Sequence, residues 1–119
     1  MTDQIVITIA CGTDDPNRST RGLMLAMAAH KEGKKVSVFL LDEGVNLARE
    51  GVVENLRAAT GDSADDHMAY LQAHGVPILV CTPCAAARQL KPEDMVEGAQ
   101  MAVAADLVHL SCEGASINL

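Results

Sequence analysis

Ile5-Val6-Ile7-Thr8-Ile9-Ala10 is an almost unbroken apolar, β-branched stretch near the start of this 119-residue chain. Such a run is typical of a strand that is covered on both faces, as the strands of parallel sheets are. The Asp15-Pro16 pair that follows predicts the start of a helix, with Asp15 as the N-cap and Pro16 as the first helical residue. This strand–loop–helix order favours an α/β fold.

Further elements follow in the same alternating order. Gly33 is typical of a helix end, and a later helix, capped by Asp62 or Ser63, is closed by Gly75. The sequence predicts strands at residues 36–41, 76–80 and 115–119, helices at 83–90 and 101–110, a short helix starting at 45–48 and a mobile loop at 60–63. This alternation predicts a single domain over residues 1–119, a three-layer α/β/α sandwich with a mainly parallel sheet of about four to five strands.

The composition excludes several classes of function. The net charge is −7, and with one Tyr, one Phe and no Trp the chain has neither the basic surface nor the aromatic platforms of nucleic-acid-binding proteins. No apolar run approaches the ~20 residues that a membrane helix needs. Residues 1–10 lack the charged start and apolar core of a secretion signal. We therefore expect a cytoplasmic protein that binds neither nucleic acid nor membrane.

Four cysteines, Cys11, Cys81, Cys84 and Cys112, occur in the chain. In a reducing cytoplasm thiols are buried, catalytic or metal-bound rather than joined in disulfides. A structural zinc site needs four ligands, and this chain has a single Cys-x-x-Cys pair. Cys112 is expected at the opposite end of the sheet, and the histidines show no ligand spacing. The sequence therefore predicts no metal site, and nothing in it calls for a cofactor.

The Cys-x-x-Cys pair is the most informative motif. Cys81 ends the predicted third strand, Thr82 is a candidate N-cap, and Pro83 suits the first helical turn. Cys84 is then expected among unpaired backbone N–H groups, which stabilise a thiolate and lower the thiol pKa. Arg88, one turn further along, would add positive charge on the same face. The alternative interpretation is a pair of half-buried structural cysteines.

Parallel strands also bring distant loops together. Sites in such folds lie beyond the carboxyl ends of the strands, so residues 11–17, 42–46 and 81–84 are expected to be neighbours. Cys11 and Gly12 would then support the cysteine pair. Gly12 gives a tight turn before a helix N-terminus, a place where an anion could bind. The chain has no Walker-type lysine and no G-x-G-x-x-G motif, so a nucleotide-binding enzyme is not favoured.

Three segments together resemble a known family. Gly12-Thr13-Asp14-Asp15-Pro16, with the strand before it and the helix after it, is similar to the start of the DsrE/DsrF-like (YchN-like) proteins. Phe39-Leu40-Leu41-Asp42-Glu43-Gly44-Val45 resembles that family's strand that ends in an acidic residue and Gly-Val. Residues 76–88 resemble its Cys-x-x-Cys-x-x-x-Arg segment. The resemblance covers essentially the whole chain.

The resemblance carries expectations about assembly and chemistry. It implies the α/β/α sandwich, assembled as a homotrimer or homohexamer. The family's sulfur-relay members carry a persulfide on a cysteine at the end of the third strand, which corresponds to Cys81, while Cys84 and Arg88 match a pattern of other members. The chain departs from the family at Gln89, where Gly is usual, and this departure predicts a different start for the helix that carries Arg88.

Two classes of function follow. In the first, Cys81 or Cys84 as thiolate takes up a sulfane sulfur, becomes a persulfide and passes the sulfur on, or the two form a disulfide. Sulfur-donor and sulfur-acceptor proteins would be its partners, and Arg88, Thr82, Cys11 and Gly12 would support the site. In the second, the chain is a non-enzymatic oligomer that binds a small ligand or a protein.

Overall fold

The structure, a computed structural model, describes residues 3–119, which form alternating strands and helices. The strands are β1 (Gln4–Ile9), β2 (Lys35–Leu40), β3 (Ile78–Cys81), β4 (Ala99–Ala102) and β5 (Ala115–Asn118). The α-helices are α1 (Pro16–Lys31), α2 (Ala64–Ala73), α3 (Thr82–Ala87) and α4 (Ala104–Glu113). Short 3₁₀ segments cover Asp42–Ala48, Val53–Asn55 and Pro92–Asp94.

The five strands form one sheet in the order β4-β3-β2-β1-β5, and every pairing in it is parallel. Ile7 lies beside Val38, which lies beside Ile78, so the central strands stay in register across the sheet. All strands therefore end at the same edge, and the segments that follow β1, β2 and β3 meet there.

Helices cover both faces of the sheet, which confirms the predicted α/β sandwich. Ile9 contacts Gly22 of α1, and α2 packs against α1 on that same face. Because successive strand residues point to opposite faces, Val6 points away from α1. Val6 and Ser37 line a small cavity together with Leu110 of α4, which places α4 on the other face. The core between these layers is fully buried at Phe39 and many aliphatic residues.

The prediction was wrong around β4. Residues 101–110 were expected to form one helix, but Ala99–Ala102 is a strand and α4 begins at Ala104. The strand escapes detection because its Ala-Gln-Met-Ala sequence has no β-branched residue and Gln100 and Met101 are exposed, as suits an edge strand. The backbone N–H of Val103 donates to the Asp106 carboxylate, 2.8 Å, and this bond fixes the start of α4.

The cysteine-bearing segment also differs in detail from the prediction. The strand begins at Ile78 and includes Cys81, and α3 ends at Ala87 rather than continuing to residue 90. Thr82 does not cap the helix. Its Oγ1 instead donates to the carbonyl oxygen of Ala102, 2.8 Å, and so joins the start of α3 to the end of β4.

The loop expected to be mobile at residues 60–63 is held by side chains from two helices. Arg21 of α1 donates to the Asp62 carboxylate at 3.3 Å, and the buried His67 of α2 lies 2.6 Å from the same oxygen. Thr60 donates to the other Asp62 oxygen, and Ser63 caps α2. Asp62 is therefore the residue that anchors this loop to the fold.

Replacing Asp62 by asparagine should lower the melting temperature in a pH-dependent way. Hydrogen bonds from His67 and Thr60 hold the pKa of Asp62 well below its usual range. A carboxyl with a depressed folded-state pKa stabilises the fold above its unfolded pKa of ~4, and this stabilisation is lost as the pH falls further. The gap between wild type and Asp62→Asn should be largest near neutral pH and should narrow below ~4 in melts followed by circular dichroism. Exposed Glu97→Gln removes the same charge as a control, and an equal gap for both variants would contradict the prediction.

Within residues 3–119, no helix has the length and apolar character needed to cross a membrane.

Candidate functional site

The segments after β1 and β2 lie backbone against backbone. A Cβ added at Gly12 would collide with the backbone oxygen of Glu43, and one added at Gly44 would collide with the backbone oxygen of Ile9. Only glycine allows an approach this close. The third segment joins them through side chains, because Arg88 contacts Glu43 and Cys84 contacts Asp42. The predicted convergence of the three loops is therefore confirmed.

Cys81 and Cys84 are both free thiols at the junction of β3 and α3. Cys81 is only 9% exposed, whereas Cys84 in the first turn of α3 is less buried. Burial raises the pKa of the Cys81 thiol, and the adjacent Cys84 thiol and the Asp42 carboxylate raise it further, against an opposing effect of the Cys84 backbone N–H. Cys81 thus holds its proton firmly, and Cys84 is the more accessible sulfur.

Asp42 is a member of the site that sequence reasoning did not single out. The Sγ of Cys84 donates to its Oδ1 at 3.8 Å. Its backbone has φ of 49°, in the left-handed region that residues other than glycine and Asn/Asp rarely adopt. The acidic residue just beyond the second strand was the available signal, since that strand ends beside β3.

Arg88 bridges two of the three segments. Its guanidinium contacts Oε1 of Glu43 through Nη2 at 2.6 Å and Nε at 3.0 Å, and its Nη1 donates to the carbonyl oxygen of Cys84 at 3.1 Å. Glu43 raises the pKa of Arg88, so the cation is permanent. Because Glu43 neutralises much of this charge, Arg88 is a positioning residue for α3 more than a source of positive charge at the thiols. Arg49 supports it by donating to its carbonyl oxygen at 3.0 Å.

Gln89 occupies a left-handed position, with φ of 56°, directly after Arg88. This is the place where a helix commonly ends on glycine. The departure from Gly thus lies at the end of the helix that carries Arg88, where it is accommodated as backbone strain. The helix itself begins directly after Cys81, and Arg88 forms its contacts.

Replacing Gln89 by glycine should therefore stabilise the protein. Relief of the left-handed strain is worth ~1–2 kcal/mol, and the added freedom of glycine in the unfolded chain removes ~0.4–1 kcal/mol of that. We expect a net gain of about 0.5–1 kcal/mol in the free energy of unfolding, measured by urea titration. Ala86→Gly, inside α3, is the matched control and should lose about as much. Destabilisation by Gln89→Gly would contradict this account.

Cys11 and Gly12 lie in the segment after β1, which packs against the backbone of the segment after β2. Cys11 is buried in the core, and burial and the Asp15 and Asp14 carboxylates raise the pKa of its thiol. The backbone N–H of Gly12 donates to the Asp14 carboxylate at 2.8 Å, and its carbonyl oxygen accepts from the buried Ser19 hydroxyl at 3.0 Å. The Gly12 N–H and carbonyl are therefore both used within the protein, and this N–H is not available to an anion.

The remaining ligand-type residues lie apart from the site. Cys112 is exposed near the end of α4, just before β5 begins and hence at the other edge of the sheet. Among the residues that the structure describes, no three His, Cys, Asp or Glu side chains are grouped so that they could hold a metal ion. The chemistry available at the site is therefore that of two thiols beside a carboxylate and an ion pair.

A family model described as the DsrE/DsrF-like family matches residues 3–117. The chain belongs to the DsrE/DsrF-like family. Among similar sequences, this DsrE/DsrF-like chain is 30% identical over 110 residues to an uncharacterized protein of Methanopyrus kandleri, covering 90% of this chain and 85% of that protein. It is 33% identical over 94 residues to an uncharacterized protein of Methanocaldococcus jannaschii, covering 76% of each chain.

Solved structures show the same fold. The crystal structure of the YchN protein from E. coli matches with a TM-score of 0.80 over 100% of both chains, at 16% identity. A protein of unknown function from Methanobacterium thermoautotrophicum matches with a TM-score of 0.63 over 98% of both chains, at 18% identity. At these identities the likeness establishes the architecture of this DsrE/DsrF-like protein, and its activity has to be argued from the site.

Proposed function

We propose that this DsrE/DsrF-like protein handles sulfur at the Cys81–Cys84 pair, as a persulfide carrier whose two thiols also form a disulfide. The observation that carries the proposal is the pairing of one accessible and one buried free thiol where β3 meets α3. The proposal assigns this chemistry to the cytoplasm, where the reducing environment keeps such thiols free.

The different burial of the two thiols suggests different roles. Cys84 is the less buried sulfur and is the one we assign to attack a sulfur donor. Cys81 lies beneath it, and burial raises the pKa of the Cys81 thiol, so this thiol stays protonated while the first step occurs. An unreactive neighbour keeps the new persulfide from being resolved before an acceptor arrives.

The reaction balances without an external oxidant. The Cys84 thiolate attacks the outer sulfur of a donor persulfide R–S–SH, the donor S–S bond breaks, and R–S⁻ leaves while Cys84 becomes a persulfide. An acceptor thiolate then attacks the outer sulfur and regenerates the Cys84 thiolate. When no acceptor is present, the Cys81 thiolate attacks the inner sulfur, which forms the Cys81–Cys84 disulfide and releases HS⁻.

The neighbours of the pair support this scheme. Asp42 accepts the Cys84 S–H and so fixes the direction of this thiol. Arg88 holds the first turn of α3 through the Cys84 carbonyl and is itself fixed by Glu43. These contacts therefore fix the position of the Cys84 sulfur. In this scheme the partner proteins determine which sulfur donor and which sulfur acceptor react.

The test is sulfur loading measured by intact mass. Reduced protein is incubated with inorganic polysulfide as sulfane donor, and the adduct is located by peptide fragmentation. We expect one added sulfur atom at Cys84, removable by a small thiol acceptor. Cys112→Ser is the matched control, because Cys112 is exposed but remote, and this variant should load like wild type.

Two outcomes would contradict the proposal. Loading that is confined to Cys112 would show only the reactivity of an exposed surface thiol. Absence of any adduct on residues 81 and 84, under conditions that load a known persulfide carrier, would favour the non-enzymatic binding oligomer instead.

We also propose that the chain assembles as a homotrimer or homohexamer through α4. No residue of α4 is fully buried, although the helix is rich in apolar residues, and Val103 and Val108 are 50% and 59% exposed. Apolar side chains left exposed on and just before one helix are typical of a protein contact. Val108→Lys should therefore reduce the mass measured by light scattering to that of one chain. Ala69→Lys, on the exposed side of α2, should leave the mass unchanged, and an unchanged mass for both variants would contradict the assignment of α4.

A further inference from the structure

A cavity of about 330 Å³ lies at the amino-terminal edge of the sheet, opposite the cysteine pair. It forms where α1 and α2 end and where β2 and β3 begin. Two lysines and two histidines line it, namely His30, Lys34, Lys35 and His74, together with an apolar wall. Lys35 also lines the small cavity beside α4, where Glu113 lies. Nothing in the sulfur chemistry uses this cavity.

The cavity is lined by basic residues, although the protein as a whole is acidic. The chain carries 16 acidic residues and a net charge of −7, yet no Asp or Glu is among the residues described as lining this cavity. Three of the four lysines lie within residues 31–35 at this one place. The other large cavities that we describe each include an acidic residue, such as Asp15 or Asp106. A concave surface lined by two lysines and no carboxylate is complementary to an anion.

Aromatic contacts hold the two histidines in place. Tyr70 stacks on His74 with ring centroids 4.0 Å apart, and its hydroxyl lies 2.8 Å from Nδ1 of His30. Nδ1 of His74 donates to the Tyr70 carbonyl oxygen at 2.8 Å, which directs Nε2 away from the helix. Lys31 sits over the Tyr70 ring, 5.2 Å from its centroid, and adds a further positive charge nearby. These imidazoles are pre-positioned groups rather than loose surface side chains.

The helix ends oppose an anion here less than the lysines attract one. Carbonyl groups at a helix C-terminus carry partial negative charge, and α1 and α2 both end at the cavity. Backbone N–H groups bond to some of these carbonyls: Glu32 and Lys34 donate to the end of α1, and Gly75 and Val76 donate to the end of α2. The partial charge of a helix end, about half an elementary charge, is smaller than the full charge of a lysine, so the lysine side chains decide the sign of the potential in the cavity.

We propose that this cavity binds a small polyvalent oxyanion, held by Lys35 and His74 with His30 as a further donor. Compact ammonium groups suit oxygens that carry a full negative charge. His74, whose Nδ1–H is already bonded to Tyr70, donates to such an oxygen through Nε2 when its ring is protonated. A volume of about 330 Å³ accommodates a phosphate-type or carboxylate-type ligand with a small organic part. The proposal is independent of the cysteine chemistry at the other edge.

The experiment is calorimetric titration of the full chain with inorganic pyrophosphate and, separately, with citrate, in a buffer free of other polyvalent anions. Imidazole resonances of His30 and His74 are followed by NMR in parallel. We expect saturable binding that shifts these two histidines and not His109. Tighter binding of pyrophosphate would assign a phosphate-type ligand, and tighter binding of citrate a carboxylate-type one.

Two variants test the assignment of residues. Lys35→Gln and His74→Gln should each weaken binding about tenfold, the effect of one lost charge-assisted hydrogen bond. Lys91→Gln removes the lysine that lies outside the cluster and should change binding little. If Lys91→Gln weakened binding as much as Lys35→Gln, binding would depend only on the net charge of the protein, and the proposal would be overturned. Lack of saturable binding by both anions, with wild-type melting temperatures for all variants, would overturn it as well.

Discussion

Alanine at position 44 should be the most damaging small substitution in this protein. A Cβ at Gly44 points directly into the backbone oxygen of Ile9, in a segment where Gly44 and Ile9 are both buried. Backbone atoms of a central strand cannot rotate away as a side chain can, so the collision has to be relieved by moving the 3₁₀ segment at Asp42–Ala48. We expect a loss of about 3 kcal/mol in the free energy of unfolding, the upper end of the usual cost of overpacking.

The matched control separates collision from glycine's conformational freedom. Gly61 has φ of 92° and nothing within 4 Å of its missing Cβ, so Gly61→Ala introduces only backbone strain, of about 1–2 kcal/mol. Gly44→Ala should unfold at distinctly lower urea concentration than Gly61→Ala, and should also change the alkylation rate of Cys84 because Asp42 moves with the segment. Equal destabilisation by the two variants would contradict the close-packing argument.

Serine at position 84 should abolish sulfur loading, and serine at position 81 should not. This second expectation rests on the proposed roles of the pair, since a hydroxyl is a far poorer nucleophile than a thiolate. Cys81→Ser retains the accessible thiol but lacks the group that attacks the inner sulfur. Its persulfide should therefore persist, whereas the wild-type persulfide should decay to a disulfide with release of sulfide.

The measurement is intact mass against time after polysulfide is removed, with sulfide detected in the same samples. Cys11→Ser serves as the control, because Cys11 is buried and burial raises the pKa of its thiol, and its time course should follow wild type. Persistent loading of Cys84→Ser at residue 81, together with loss of loading in Cys81→Ser, would exchange the two roles and contradict the assignment made here.

Much of the fold was predictable because its central strands are apolar and β-branched. The apolar sequences of β1 and β2 indicate directly that these strands are buried. Asp15 and Ser63 mark helix starts through local hydrogen bonds, and Gly33 marks a helix end through its backbone geometry. Ala99–Ala102 was not predictable, because an edge strand with two exposed residues is selected by its pairing with β3 rather than by its own composition.

Some features of the candidate site were also predictable from local sequence, whereas others depend on contacts between distant residues. The position of Cys81 at a strand end follows from the strand's own sequence, and parallel topology brings the three loops together. The Arg88–Glu43 ion pair and the Cys84–Asp42 contact join residues more than forty positions apart, at distances that only the folded chain sets. For this reason sequence reasoning assigned Arg88 a charge for the thiols, whereas Glu43 takes most of that charge.

The two outermost strands of the sheet, β4 and β5, are each four residues long. Strands this short present few free main-chain groups, so a neighbouring molecule gains little by extending the sheet sideways. Edge-to-edge pairing of sheets from successive molecules is therefore disfavoured. Contacts between molecules then have to be made by side chains rather than by main-chain hydrogen bonds. Short edge strands of this kind protect a protein against aggregation by strand addition, even at high concentration.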